Sequence, residues 1–285
     1  PFSSRCCQHN HAQGWPYFTE HLVLATPDNG VATAIYAACK ATVKVGDGKE
    51  ITLHEETNYP FEEAIAFTVS TGEKVAFPFY LRIPSWTKGA EVRVNGKKVS
   101  VTPVAGKYLC INREWANGDR VELTLPMSLS MRTWQVNKNS VSVDYGPLTL
   151  SLKIAEKYVE KDSRETAIGD SKWQKGADSK KWPTTEIYPD SPWNYSLVLD
   201  KREPLKNFKV IRKSWPTDNY PFTVASVPLE VKAIGRPVPE WKIDETGLCG
   251  VLPEEDAVKG DKEEITLIPM GAARLRISAF PNTKE

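Results

Sequence analysis

"AEVRVNGKKVSV" (residues 90–101) places two runs of alternating apolar and polar residues on either side of Asn95–Gly96. Alternation of period two puts every second side chain on one face, which marks a half-buried strand. Asn-Gly supplies the left-handed backbone that a two-residue hairpin turn requires. The same pattern extends in both directions. "ATVKV" (41–45), "GDG" and "KEITLHEE" (49–56) repeat it, and "AIAFTVS" (64–70) precedes the turn "TGEK" and then "VAFPFYLRIP" (75–84). "YLCINREW" (108–115) and "DRVELTLP" (119–126) flank "ANG", which predicts another hairpin; "SVSVDYG" (140–146) and "LTLSLKI" (148–154) follow. Parallel strands would need crossover connections that these short turns do not provide, so residues 30–154 are expected to form one antiparallel β-sandwich.

Either side of this region the pattern changes. Upstream, "WPYFTEHLVLAT" (15–26) carries Trp15, Phe18, Leu22 and Ala25 on one helical face, with Pro16 in the first turn and "PDNG" (27–30) as the stop. Downstream, residues 155–190 are charged and poor in aliphatics and read as an excursion over the surface, with Trp173 and Trp182 as anchors to a core or, alternatively, sugar-stacking platforms. Strand-like runs resume at "WNYSLVLD", "NFKVIRK", "LEVKAIG", "EEITLIP" and "ARLRISAF", with prolines between them, so 155–285 is expected to be a second, less regular β-sandwich. The fold class is all-β: two antiparallel sandwiches preceded by a short helix.

Thirty-seven Lys and Arg against 36 Asp and Glu leave a net charge of +1, which argues against nucleic acid as the main partner. No apolar run reaches the ~20 residues that a membrane-spanning helix needs. The chain opens on Pro1 with neither Met nor a signal peptide and is read as a fragment of a longer protein. Of five cysteines, Cys39, Cys110 and Cys249 lie singly in apolar contexts and are expected to be small buried hydrophobes.

Cys6 and Cys7 are different. "SRCCQHNHAQ" (4–13) sets two thiols beside His9 and His11. Adjacent cysteines make a strained disulfide, but two thiolates can reach one Zn²⁺, with His9 or His11 available as a further ligand. The alternative is a pair of half-buried thiols beside surface histidines. His21 and His54 are isolated, and no nucleophile elbow, Walker A loop or dinucleotide-binding turn occurs. Glu55–Glu56 and Glu62–Glu63 are the paired carboxylates that glycosidic cleavage would use, although charged pairs beside strands are usually solvated.

"CCQHN" with its helix, "YAACKATVKVGDGKEITLHEETNYPF" (36–61) and "FPFYLRIPSWTKGAEVRVNGKKV" (77–99) together resemble the C-terminal half of glycoside hydrolase family 127. So do "DYGPLTLSL" (144–152), "YPDSPWNYSLVLD" (188–200) and "LIPMGAARLRISAF" (267–280). The resemblance implies a catalytic (α/α)₆ barrel upstream, of which residues 1–29 would be the remnant, and a zinc-dependent, retaining β-L-arabinofuranosidase acting on plant-type glycans. It makes Cys6 the nucleophile and a zinc ligand and Cys7 a second ligand, with a Glu, a further Cys and the general acid/base upstream. It also implies a secreted or periplasmic protein. Where family members have prolines after the paired cysteines, Gln8 and His9 stand here, which leaves the sugar open. The chain alone is expected to be inactive and to hold zinc weakly or not at all. The alternative is a non-catalytic carbohydrate-binding or structural module, for which the nine tryptophans are the argument.

Overall fold

The computed structural model describes residues 10, 12–166, 173–254 and 257–284. Two compact units divide the chain, one ending at Ser128 and the other beginning at Leu129. The expected boundary at 154 is therefore too late. "SVSVDYG" and "LTLSLKI" are strands as expected, but they pair with strands that come more than a hundred residues later. Periodicity identifies a strand without identifying its sheet.

The first unit opens with helix α1 (Gly14–Glu20) and continues with β1 (Val23–Ala25), β2 (Val31–Thr33), β3 (Cys39–Val45), β4 (Lys49–Thr57) and β5 (Ala64–Thr71). β6 (Val75–Arg82), β7 (Glu91–Val94), β8 (Lys97–Lys98), β9 (Tyr108–Trp115) and β10 (Arg120–Thr124) complete it. The order is β1-β2-β6-β9 in one sheet and β3-β4-β5-β10-β7-β8 in the other. All pairs are antiparallel except β2 with β6. Alternation chooses the inner face: Ile51 and Leu53 of β4, Ile65, Phe67 and Val69 of β5, and Phe77, Phe79 and Leu81 of β6 share one core. Phe67 meets Phe79 edge-on at 5.4 Å, and Phe79 meets Trp115 at 5.9 Å. Each such side chain contributes roughly 1.5–3 kcal/mol by leaving water. The Trp115 indole also donates to the Phe77 carbonyl at 3.0 Å, so its one polar group is not stranded.

Asn95–Gly96 forms the expected turn, with φ of 49° and 76° and Val94 opposite Lys97. Two expectations fail nearby. β9 and β10 do not pair, since β9 lies beside β6 and β10 lies between β5 and β7. The "ANG" turn is an arch between the sheets, closed by Asp119, which accepts from Ala116 N at 2.9 Å and from Asn95 Nδ2 at 2.7 Å. The helix predicted over 15–26 ends at Glu20, because Val23–Ala25 pairs with Val31–Thr33 instead. "PDNG" is the turn between those strands. A side chain on Gly30 would meet the Pro78 carbonyl at 2.2 Å, so only glycine lets this turn lie against β6.

The second unit contains β11 (Leu129–Trp134), β12 (Ser140–Tyr145), β13 (Leu148–Leu152), β14 (Glu156–Lys161), the short helix α2 (Ser163–Thr166) and β15 (Thr184–Pro189). β16 (Tyr195–Leu199), β17 (Lys209–Arg212), β18 (Leu229–Pro237), β19 (Glu263–Pro269) and β20 (Asn282–Lys284) complete it. The main sheet runs β11-β12-β13-β19-β18-β16-β20, with β17 also against β18, while β14 and β15 pair only with each other. "ARLRISAF" is not a regular strand. Its irregular backbone nevertheless receives Leu152 N at Ile277 O, exchanges two bonds between Val141 and Phe280, and leads to Pro281 O, which accepts Leu197 N. Residues 277–284 thus tie β12 and β13 to β16, and the sheet curls onto itself.

Candidate active site

Cys6 and Cys7, the expected catalytic and metal-binding residues, lie outside the described residues, as do His9 and His11. Further along the chain, helix α1 is short, with Pro16 in its first turn and Thr19 Oγ1 turned back onto the Trp15 and Pro16 carbonyls. The aromatic side chains it carries are not covered: Trp15 is 66% exposed, Tyr17 64% and Phe18 38%. Leu22, just beyond the helix, is buried. The apolar face expected to lack cover is thus open over the helix itself and closed at its exit.

The remaining ligand and acid candidates do not converge. His21 Nδ1 lies 2.6 Å from the Tyr17 carbonyl, and His54 is exposed on β4. Among the described residues no group of three or more His, Cys, Asp or Glu is placed to hold a metal. Adjacent strand residues face opposite ways, so Glu55 points inward while Glu56 points outward to Arg120 at 3.2 Å. Glu63 accepts the Met127 amide at 3.0 Å, whereas Glu62 is exposed. Neither pair is arranged to flank a glycosidic bond.

Glu55 is the residue that sequence reasoning undervalued. It is 1% exposed, in phase with Ile51 and Leu53, and Cys39 Sγ lies 3.8 Å from its Oε2. Its Oε1 has no hydrogen-bond partner among the described residues. Burial pushes the carboxyl up to about 8, against weaker opposing bonds from the Ala37 amide and Cys39, which favours its neutral form. Burial likewise pushes the Cys39 thiol up to about 11, with the adjacent Glu55 adding to the effect. The signal was available: position 55 continues the inward i, i+2, i+4 register of β4.

Other single residues divide. Trp115 is fully buried and Trp86 packs on the same core. Trp173 Nε1 bonds the Ala177 carbonyl at 3.3 Å, whereas Trp182 is 57% exposed. Cys39 and Cys110 are half-buried, and Cys249 is exposed rather than in the core.

Residues 30–127 match the family model described as β-L-arabinofuranosidase, GH127 middle domain. They resemble a GH127 middle domain. Its limits coincide with the sandwich between β2 and β10, so the domain is the first unit without α1 and β1. The chain shares its fold with part of larger solved proteins. One is a GH127 β-L-arabinofuranosidase from Geobacillus stearothermophilus T6, with a TM-score of 0.64 and 21% identity over 98% of this chain and 37% of that one. Another is a protein described as a glycoside hydrolase, with a TM-score of 0.66 and 22% identity over 99% of this chain and 40% of that one. A further GH127 β-arabinofuranosidase has a TM-score of 0.63 and 23% identity over 98% and 38% of the two chains. This chain therefore spans two fifths or less of the length of these neighbours, and it includes strands on both sides of the GH127 middle domain. No curated protein sequence matches it.

Proposed function

We propose that this chain is the C-terminal part of a retaining, zinc-dependent glycoside hydrolase of the β-L-arabinofuranosidase type, acting on plant-type glycans. The observation that carries this reading is the GH127 middle domain at 30–127, with the Cys6–Cys7 pair a short way upstream of it. Two adjacent thiols are a soft donor set suited to zinc, and Cys6 and Cys7 would hold it. Zinc, when bound, keeps thiols in the thiolate form at neutral pH.

In this reading the Cys6 sulfur attacks the anomeric carbon, and the departing glycosidic oxygen takes a proton from a carboxylic acid. Water, losing its proton to that same carboxylate, then breaks the carbon–sulfur bond, frees the thiolate and releases the sugar with retained configuration. The opposed orientations of Glu55 and Glu56, and the Glu63–Met127 bond, support an acid/base supplied from outside the sandwiches. The partner of this chain is then a catalytic barrel, and the exposed aromatics of α1 are where it would pack.

The test uses the longer protein that carries this chain, with p-nitrophenyl β-L-arabinofuranoside as substrate. Cys6→Ala is expected to lower turnover on the order of a thousandfold or more, and methanolysis followed by NMR should give the β-methyl glycoside. Unchanged turnover in Cys6→Ala sinks the assignment. The present chain alone should neither hydrolyse the substrate nor retain arabinan-type oligosaccharides; retention without hydrolysis would identify a carbohydrate-binding module.

A further inference from the structure

The second unit contains a cavity of about 420 Å³ that the proposed hydrolysis does not use. That is within the usual range for a small-molecule site. The buried side chains of Ile154 and Ile277 line it, together with Ile187 and Trp193. Trp193 is held edge-on against Trp241 at 5.2 Å. Ile243 and Leu248 also line the cavity although they are 44% and 66% exposed.

These exposed apolar groups sit on a built loop. Asp244 Oδ1 accepts from Thr246 N, Thr246 Oγ1 and Leu248 N at 2.6–3.0 Å, and Ile243 bridges to Cys249. The loop therefore presents Leu248 to water at an energetic cost that a bound apolar group would remove. Arg276 also lines the cavity. Its Nε donates to the Ala273 carbonyl at 2.7 Å, and neither Nη group has a partner among the described residues. Two acids on these segments are already engaged: Glu156 by Tyr158 and the Arg274 amide, and Asp244 by its own loop.

We propose that this cavity binds a small aromatic carboxylate, its ring among Trp193, Ile243 and Leu248 and its carboxylate on the free Nη groups of Arg276. A guanidinium with two Nη groups available and its Nε fixed suits a planar anion, and the apolar lining suits a ring. The proposal is independent of the hydrolytic reading.

Isothermal titration of the full chain with 3-phenylpropionate should show saturable one-site binding. The neutral 3-phenylpropionamide and the Arg276→Gln variant should each bind about tenfold more weakly, the loss expected for one charge-assisted contact. Leu248→Ser, at a position too exposed to affect folding, should weaken binding about threefold. Cys249, exposed at the cavity, reports location: its alkylation by iodoacetamide, followed by mass spectrometry, should slow when the carboxylate is bound. Absence of saturation, equal binding of the amide, or unchanged Cys249 labelling at saturating ligand each overturns the proposal.

Discussion

Strands β5 and β12 are both central to their sheets, and they bury different things. In β5 the buried positions alternate, and Ile65, Phe67 and Val69 all face one apolar core. In β12 all six residues are buried, and three of them, Ser140, Ser142 and Asp144, are polar. β16 is likewise buried throughout, with Ser196 among its residues. The first unit separates apolar from polar by face. The second buries both faces of β12 and β16 and must satisfy polar side chains inside. Ser142 Oγ reaches the Ser278 carbonyl at 2.6 Å, and Asp144 takes both ends of the Arg132 fork at 2.6 and 2.9 Å. Stability in the first unit should therefore track apolar volume, and in the second it should track hydrogen bonds.

The strongest test of that contrast is Trp115→Ala. Removing a fully buried indole from the aromatic cluster should cost about 3–5 kcal/mol, read as a lower urea midpoint at unchanged slope. A loss under about 1 kcal/mol would mean that the core is not close-packed around it.

Glu55 is a buried carboxyl within the first unit, and it gives a pH signature. Its carboxyl ordinarily ionises near 4.5 and is pushed up to about 8 by burial. Between those values the folded chain holds a proton that the unfolded chain has lost, so stability falls as pH rises from 4.5 to 8 and the loss is complete above 8. Glu55→Gln should remove that slope. Variant and parent should match near pH ~4 and differ by roughly 2–4 kcal/mol at pH ~9, the variant being the more stable. Parallel stability–pH curves would refute it.

In the second unit the matching substitution is Ser151→Ala. Ser151 is fully buried, and its Oγ donates to Ile277 O at 3.2 Å and accepts from Ile277 N at 3.0 Å. Losing the hydroxyl strands a buried amide and should cost about 1–3 kcal/mol although hardly any volume is lost. Hydrogen exchange at Ile277 should rise with it. At the small end, Lys98→Ala breaks an exposed 3.4 Å pair with Glu91 and should shift stability by less than about 0.5 kcal/mol.

The same contrast explains what was legible in the sequence. Alternation and turn chemistry revealed the β3–β4 hairpin and the Asn95–Gly96 turn because partner and turn are adjacent in the chain. They failed at "ANG", where the turn signal is identical but the chain changes sheets, and at Val23–Ala25, where three apolar residues fit a helical face as well as a strand. They failed again at residues 129–152, whose non-local partner β19 leaves no local trace. Of the site, the cysteine pair was legible as chemistry alone. Glu55 was legible in principle from its phase with Ile51 and Leu53, but its charge weighed against an inward reading.

Segment 277–284 also has a consequence for biosynthesis. Val141 and Leu197 are synthesised long before the residues that bond them, Phe280 and Pro281. A ribosome finishes the strands of the first unit with Thr124, and that unit has every strand partner it needs while most of the second is still unmade. The second must wait with β12 and β16 exposed until its closing segment clears the exit tunnel. Translation speed and chaperone supply should therefore limit the yield of the second unit far more than that of the first.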